Sequence, residues 1–460
     1  MDKLIKSIWT RLRIDRVTGF TFVQQAQGTL FVPIIIWLVV RYLTPDEQGF
    51  YYTFGGVLGL QTLLELGFTQ CILQFSSHEC ADLAWNDQGW LEGNQHHVER
   101  LKSLARLTLK WYAVAALLLF LALEVAGKFI FAAKVAETVA WQLPWHLCCL
   151  AACVTLVAQP VWAILDGAHQ REWAIKGRTA LSIVRSAMIC LGLLGGWKLG
   201  ALAVGLGVQA LAGLVVLFIC WWKFLRQLYG GGPPSSRMSW REEILPFQWR
   251  IALSWTAGYV IFFSLNPIVF KLSGPVAAGR FGMTFNLFQT VAAFSGSWVS
   301  SNYPRFGHLA AKGEAEQLFS FWRGAAFRAT IAAAVFSAMI TLAVMALGYA
   351  GLPLAQRLLP PVAVALLGVS AVANTLIQAL ALYLRAHKRE PFLSLSLGNA
   401  ALILAVVPLA TLRYGAPGAA AGFAICTVLT LPWALRIFAT FRERLPLLDA
   451  KEACEPGLPV

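Results

Sequence analysis

Long apolar runs separated by short polar stretches make up most of the chain. Twelve of these runs are near 20 residues long, which is the length that spans the hydrocarbon core of a bilayer. The pattern therefore predicts an all-α polytopic membrane protein with twelve transmembrane helices. The runs lie at roughly 20–40, 50–75, 104–126, 143–165, 179–197, 199–222, 249–270, 281–304, 326–350, 360–384, 392–412 and 417–438.

One polar stretch divides the runs into two groups of six. Its sequence, QLYGGGPPSSR at residues 227–237, has the glycine, proline and serine content of a linker. The predicted units are an N-terminal half with an interfacial helix and six spans, a cytoplasmic linker, a C-terminal half with six spans, and a cytoplasmic tail. These units lie at 1–229, 230–247, 248–441 and 442–460 respectively.

A weak internal repeat relates the two groups. RYLTPDEQGFY, which begins at Arg41, shares its pattern with KLSGPVAAGRF, which begins at Lys271. In each copy a base is followed by proline four residues on and glycine four further on. The offset of 230 is half of the 460 residues. Two like halves are typical of transporters whose substrate site lies between the repeats.

Composition and charge support the membrane assignment. Apolar residues make up 58% of the chain and charged residues 13%, against roughly 25% charged in globular proteins. On the twelve-span pattern, 28 of the 37 Lys and Arg lie on one side and eight on the other. This partition predicts that both termini are cytoplasmic. The net charge of +14 thus indicates contact with membrane lipids and no nucleic-acid partner.

Glu65 is the first candidate functional residue, because it lies inside an apolar run. A charge at bilayer depth costs on the order of 3 kcal/mol, so such residues usually face a bundle interior or a watery cavity. Gln61 lies one helical turn away on the same face. We expect Glu65 to couple transport to a proton or another cation; the open alternative is a carboxyl that only bonds neighbouring helices.

Polar residues also occur at corresponding places in the two halves. Pro33 interrupts the first span, and Pro267 follows Asn266 in the seventh. Asn286 and Gln289 lie in the eighth span. Interrupted polar helices in equivalent positions point to a substrate site, although both prolines are also compatible with packing kinks. We therefore predict that Gln61, Asn266, Asn286 and Gln289 bind substrate.

Basic residues provide a further hypothesis. Arg41, Lys271 and Arg280 flank the predicted outer ends of their spans, where they are expected to contact phosphate or sugar acids through charge-assisted bonds. Anchoring to outer headgroups is the alternative. Arg185 lies about two turns inside its predicted span, and we interpret it as a side chain that extends to the cytoplasmic headgroups. Neither a GxxxxGK loop nor an HExxH or CxxC motif occurs, so we expect no cofactor, no metal site and no catalytic residues.

The stretch RYLTPDEQGFYYTF, leading into LLELGFTQCILQFSSHE, resembles the polysaccharide-biosynthesis or O-antigen flippases. These belong to the multidrug, oligosaccharidyl-lipid and polysaccharide transporter superfamily. The resemblance implies two pseudo-symmetric six-helix bundles around a central cavity lined by spans one, two, seven and eight. It also implies that a polyprenyl-diphosphate-linked oligosaccharide is moved from the inner to the outer leaflet by alternating access.

The same resemblance implies a place in the bacterial cytoplasmic (inner) membrane and a function in surface polysaccharide or lipopolysaccharide assembly. The expected partners are the lipid-linked glycan, membrane lipids, and a polysaccharide polymerase or glycosyltransferases. The chain departs from the family because its cavity-forming spans carry bases only at their ends. The group that binds the diphosphate is therefore not identified by the sequence.

Two other functions stay open. A drug or metabolite exporter with the same fold, working as an ion antiporter, would also need a polar cavity. A membrane glycosyltransferase would use an acidic pair such as Asp46 and Glu47 to hold a metal ion, but such enzymes generally need larger outer loops than this chain has. We therefore expect the protein not to be an enzyme.

Overall fold

The computed structural model describes residues 16–131, 139–232, 234–236, 238–387 and 391–454. Most of the expected N-terminal interfacial helix lies outside these residues. The first part of the chain forms helices α1 to α8 and one antiparallel pair of strands. Their bounds are α1 Arg16–Tyr42, α2 Pro45–Leu58, α3 Leu60–Glu65, α4 Phe68–Glu79, β1 Leu83–Trp85, β2 Leu91–Gly93, α5 Gln95–Phe131, α6 Gln142–Leu165, α7 Arg171–Leu194 and α8 Gly200–Tyr229.

The second part of the chain is also helical. A wide turn at Trp240–Ile244 leads into it, as a similar turn at Asp166–Gln170 joins α6 to α7. The helices are α9 Leu245–Phe262, α10 Leu265–Ser273, α11 Pro275–Ser300, α12 Tyr303–Ala311, α13 Ala315–Tyr349, α14 Pro353–Gln356, α15 Pro361–Ala386 and α16 Leu393–Cys454.

Long apolar helices confirm an all-α polytopic membrane fold. Among the described residues, seven helical segments are long and apolar enough to cross a membrane, or eight with the bent pair of Pro45–Glu65 and Phe68–Glu79. Two segments, of 53 and 52 residues, contain a break, at His169 (φ 62°) and at Gly415 (φ 65°). Each would be about 80 Å long if straight, more than twice the core of a bilayer. This length is consistent with two membrane spans in each of the two segments. The total of twelve transmembrane helices stays a prediction.

The start of α2 shows how the sequence fixes a helix end. The Thr44 hydroxyl accepts a hydrogen bond from the Glu47 amide at 3.2 Å, and the Glu47 carboxylate accepts one from the Thr44 amide at 2.9 Å. Pro45 occupies the first helical turn, where no intrahelical donor is needed. The same Glu47 carboxylate lies 2.8 Å from the Lys198 ammonium. The TPDE segment therefore begins its helix at a defined residue.

The two parts of the chain meet through small residues. A Cβ added at Gly49 of α2 would lie 2.0 Å from the carbonyl oxygen of Pro275, and one at Gly279 of α11 would lie 2.9 Å from the Gly49 nitrogen. These two glycines are equivalent in the internal repeat. The buried Gln48 amide donates to the carbonyls of Gly279 at 2.9 Å and Arg357 at 3.1 Å. The repeated segments thus pack directly against each other.

The linker is docked on the first half at the other end of the molecule. The Arg106 guanidinium donates to the carbonyls of Gly230 and Gly232, each at 2.7 Å. Arg100 bridges two carboxylates, Glu79 at 2.8 Å and Glu243 at 2.5 Å. Backbone and side-chain contacts therefore hold Gly230, Gly232 and Glu243 of the linker against α5.

Candidate functional site

A cavity of about 760 Å³ lies between the two halves. Residues of α1, α2, α3, α9, α10 and α11 line it, as the resemblance implied for spans one, two, seven and eight. Residues of α6, α7 and α8 complete the wall. Its volume falls within the range of ligand-binding cavities. The charged and amide side chains of its lining are Gln61, Glu65, Gln159, Arg185, Asn266, Asn286 and Gln289.

Glu65 lies at a break in the second span. Leu66 (φ 51°) and Gly67 (φ 66°) adopt left-handed conformations, so α3 ends at Glu65 and α4 begins at Phe68. The side chain is 7% exposed and accepts a hydrogen bond from the Thr69 hydroxyl. The Thr69 hydroxyl in turn lies 3.0 Å from that of Tyr112. The carboxylate therefore faces the cavity and is held from behind by a hydroxyl of the next helix.

Asn266 connects the cavity wall to the contact between the halves. Its amide nitrogen donates to the Thr53 hydroxyl at 3.0 Å, and that hydroxyl donates to the Gly49 carbonyl at 2.7 Å. The amide oxygen of Asn266 is buried and has no hydrogen-bond partner among the described residues. A buried acceptor without a donor is uncommon in proteins and is often found at functional sites. Asn266 therefore contributes a buried acceptor without a donor at the edge of the cavity.

Arg185 is a lining residue that the sequence analysis did not identify as a site residue. Sequence reasoning placed this side chain at the headgroups, whereas the structure places it in the cavity wall. The helix α7 begins at Arg171, eight residues before the predicted span. Arg185 thus lies 14 residues from the helix start, about 21 Å along the axis. Its neighbour Ser186 accepts a hydrogen bond from the Gln27 amide at 3.2 Å. The cavity contains a base after all, and Gln159 is a second lining residue that was not predicted.

Solved structures of membrane transporters share the arrangement of the chain. The lipid II flippase MurJ in an inward closed conformation matches with a TM-score of 0.63 at 8% identity, over 96% of this chain and 93% of that one. An inward-facing multidrug resistance MATE family transporter of the MOP superfamily matches with a TM-score of 0.58 at 15% identity, over 90% of this chain and 96% of that one. The chain shares its fold with these transporters, and we refer to this shared fold as the MOP fold.

A mutant of the Vibrio cholerae MATE transporter VcmN shares the MOP fold with a TM-score of 0.54 at 13% identity, over 93% of this chain and 96% of that one. At identities this low, the structural likeness concerns the fold alone. No family model and no curated protein sequence matches the chain. Its substrate therefore has to be inferred from the residues of the cavity.

The predicted site residues fall into two groups on this MOP fold. Glu65, Gln61, Asn266, Asn286 and Gln289 line the cavity. The predicted basic residues are not part of that lining and are exposed; they are Arg41, Lys271 and Arg280. The Lys271 ammonium donates to the carbonyl of Phe129 at 2.6 Å and lies 4.3 Å from the centre of its ring. The three basic residues are therefore outside the cavity, and their contact with substrate during release stays a prediction.

Proposed function

We propose that the protein is a transporter that flips a polyprenyl-diphosphate-linked oligosaccharide from the inner to the outer leaflet of the bacterial cytoplasmic membrane. The observation that carries this proposal is Arg185 in a cavity otherwise rich in amides. A guanidinium binds phosphate oxygens through two parallel hydrogen bonds. Amide side chains both donate and accept, as sugar hydroxyls require. The lining thus suits a cargo with an anionic and a polyhydroxyl part.

Alternating access supplies the path in this proposal. The cavity lies where the halves meet, and the repeated segments pack against each other through Gly49 and Gly279, near the lining residues Tyr51 and Gly282. Separation of these segments would open the cavity at their end, while closure at the linker end would shut the other. Because the MOP fold is shared with a protein called a lipid II flippase, a lipid-linked cargo is consistent with the fold. The product would enter the assembly of a surface polysaccharide, such as lipopolysaccharide.

Substitution of Arg185 tests the proposal. In liposomes that contain a polyprenyl-diphosphate-linked oligosaccharide, we expect the purified protein to expose the glycan to an external lectin. Arg185→Gln removes the guanidinium group. The loss of its charge-assisted bonds to phosphate predicts that flipping slows about tenfold or more. Arg171→Gln, at the exposed start of the same helix, is the matched control and should flip at the wild-type rate.

A drug or metabolite exporter is the second candidate, because MATE transporters share the fold and Glu65 lies in the cavity. The same vesicles loaded with a lipophilic organic cation distinguish the two functions. Exporter activity predicts that the cation moves against its gradient and that the lipid-linked glycan is never exposed. That result would overturn the flippase proposal.

A further inference from the structure

A second chamber adjoins the cavity on the side of the C-terminal half. It has a volume of about 460 Å³ and lies between α11, α15 and the end of α9. Phe262, Phe263 and Gln289 line both spaces, so the two adjoin at these side chains. The chamber is therefore a candidate second part of the same binding site.

The chamber differs from the main cavity in its chemistry. None of its lining side chains is charged, whereas Glu65 and Arg185 line the main cavity. Its amides belong to Gln289 and Gln378, and its aromatic wall to Phe262 and Phe263. The Thr375 hydroxyl is already bonded to the carbonyl of Ala371 at 2.8 Å. The Ser300 hydroxyl also lines the chamber and donates to the carbonyl of Ser297 at 3.5 Å. The two amides are therefore the main groups left to bind a polar ligand.

Small residues keep the chamber open. Glycine and alanine form much of the α11 surface that faces it, and Gly296 is one of these residues. A Cβ added at Gly296 would meet only the Gln378 Oε1 within 4 Å, at 3.6 Å. The Gln378 amide thus lies over Gly296 with open space beside it. A larger residue at 296 would fill the chamber without a backbone clash.

We propose that this chamber binds uncharged sugar units of the lipid-linked glycan, while Arg185 binds the diphosphate. The proposal rests on the flippase function proposed above. Amides match hydroxyl groups as donors and acceptors, and aromatic rings cover the apolar faces of sugar rings. A carboxylate in the chamber would find no cationic side chain among the lining residues. The substrate class is therefore a glycan whose distal sugars are neutral.

Two probe lipids test the inference. One is polyprenyl diphosphate that carries a single N-acetylhexosamine, and the other carries a neutral tetrasaccharide on the same linkage. Gly296→Leu should slow flipping of the tetrasaccharide lipid about tenfold and leave the single-sugar lipid within about twofold of wild type. Gln378→Leu, which removes one amide at similar size, should slow only the tetrasaccharide lipid, by about three- to tenfold.

Gly207→Leu is the control, since a Cβ at Gly207 of α8 meets nothing within 4 Å. Thermal unfolding in detergent checks that each variant is folded. If Gly296→Leu does not fold, the Gln378→Leu variant alone decides the test. Equal slowing of both probes, or no slowing of either, would overturn the chamber assignment and leave the flippase proposal intact. Failure of the wild-type protein to flip either probe would overturn the flippase proposal itself.

Discussion

Glu65 is positioned by both helices of its broken span. It ends α3, and the Thr69 hydroxyl that bonds it belongs to α4, beyond the two left-handed residues. A change in the angle between the two helices would therefore change the surroundings of the carboxylate. An ion shifts a conformational equilibrium only by its different affinity for the two states. The geometry is thus suited to coupling, which we predict for Glu65.

Glu65→Gln tests that coupling. In vesicles with an imposed pH or sodium gradient, we expect the variant to lose the acceleration that the gradient gives, because a carboxamide neither takes up a proton nor carries a charge for a cation. Flipping without a gradient should continue. Glu92→Gln, on the exposed strand β2, serves as the control. Full gradient dependence in the Glu65 variant at normal protein abundance would leave this residue a structural carboxyl.

The two charged residues of the cavity differ in how far the sequence could predict them. Glu65 could be identified because an acid within an apolar run is costly wherever the run begins. Arg185 could not, because its depth depends on where α7 starts, and the polar first turns after Arg171 do not resemble a membrane span. Helix ends are the least reliable part of such predictions. An error of eight residues was enough to move the arginine from the cavity to the headgroups.

At the scale of elements, α2 and α11 approach each other through equivalent glycines. Gly49→Ala would place a methyl group against the Pro275 backbone, which cannot move aside by changing rotamer. Overpacking of this kind predicts destabilisation of about 1–3 kcal/mol. Gly55→Ala, in the same helix with nothing within 4 Å of its Cβ, should unfold at the wild-type temperature in detergent. Equal unfolding temperatures for the two variants would contradict the contact between the repeats.

The docked linker predicts a dependence on pH. Although burial opposes it, bonds from the Ser239 amide and Arg100 hold the pKa of Glu243 below its usual value. The linker contact should therefore persist above the ordinary carboxyl pKa of about 4.3 and weaken as pH falls through the lower folded value. Hydrogen exchange at the Ser239 amide, corrected for its intrinsic pH dependence, measures this. Glu243→Gln should make the protection weaker at neutral pH and nearly independent of pH.

The sequence of the linker did not predict this docking. Its glycine, proline and serine content indicated a linker between the two halves and no particular contact. The contacts instead use backbone carbonyls of Gly230 and Gly232 as acceptors for Arg106, over 120 residues away in the chain. Backbone acceptors have no residue-type signature, so only the tertiary structure could identify them.

At the scale of the whole molecule, the fold has two distinct ends. Gly49 and Gly279 meet at one, and Glu79, Arg100 and the linker lie at the other end of the second span. The partition of basic residues predicts that the linker end is cytoplasmic. Reporter fusions after Arg41 and after Gln227 should therefore read outside and inside respectively. The reverse pattern would falsify the proposed direction of transport.

The overall architecture was largely predictable, since apolar run lengths and the repeat offset are properties of the sequence alone. The cavity was predictable only in part. Gln61, Asn266, Asn286 and Gln289 are polar residues in spans that the repeat placed together, whereas Gln159 belongs to a helix with no repeat signal. Its contribution follows from how α6 packs, which periodicity does not encode.

The contact between Gly49 and Gly279 can form only after a delay during biosynthesis. The two residues are 230 positions apart (279 minus 49), so at 5–20 residues per second the ribosome needs roughly 10–50 s to synthesise the second after the first. During that interval the glycine surface of α2 has no α11 to cover it. Lipid, the insertion machinery or a chaperone must occupy it in the meantime. The nascent first half is consequently the form of this protein most exposed to misassembly and to proteolytic quality control.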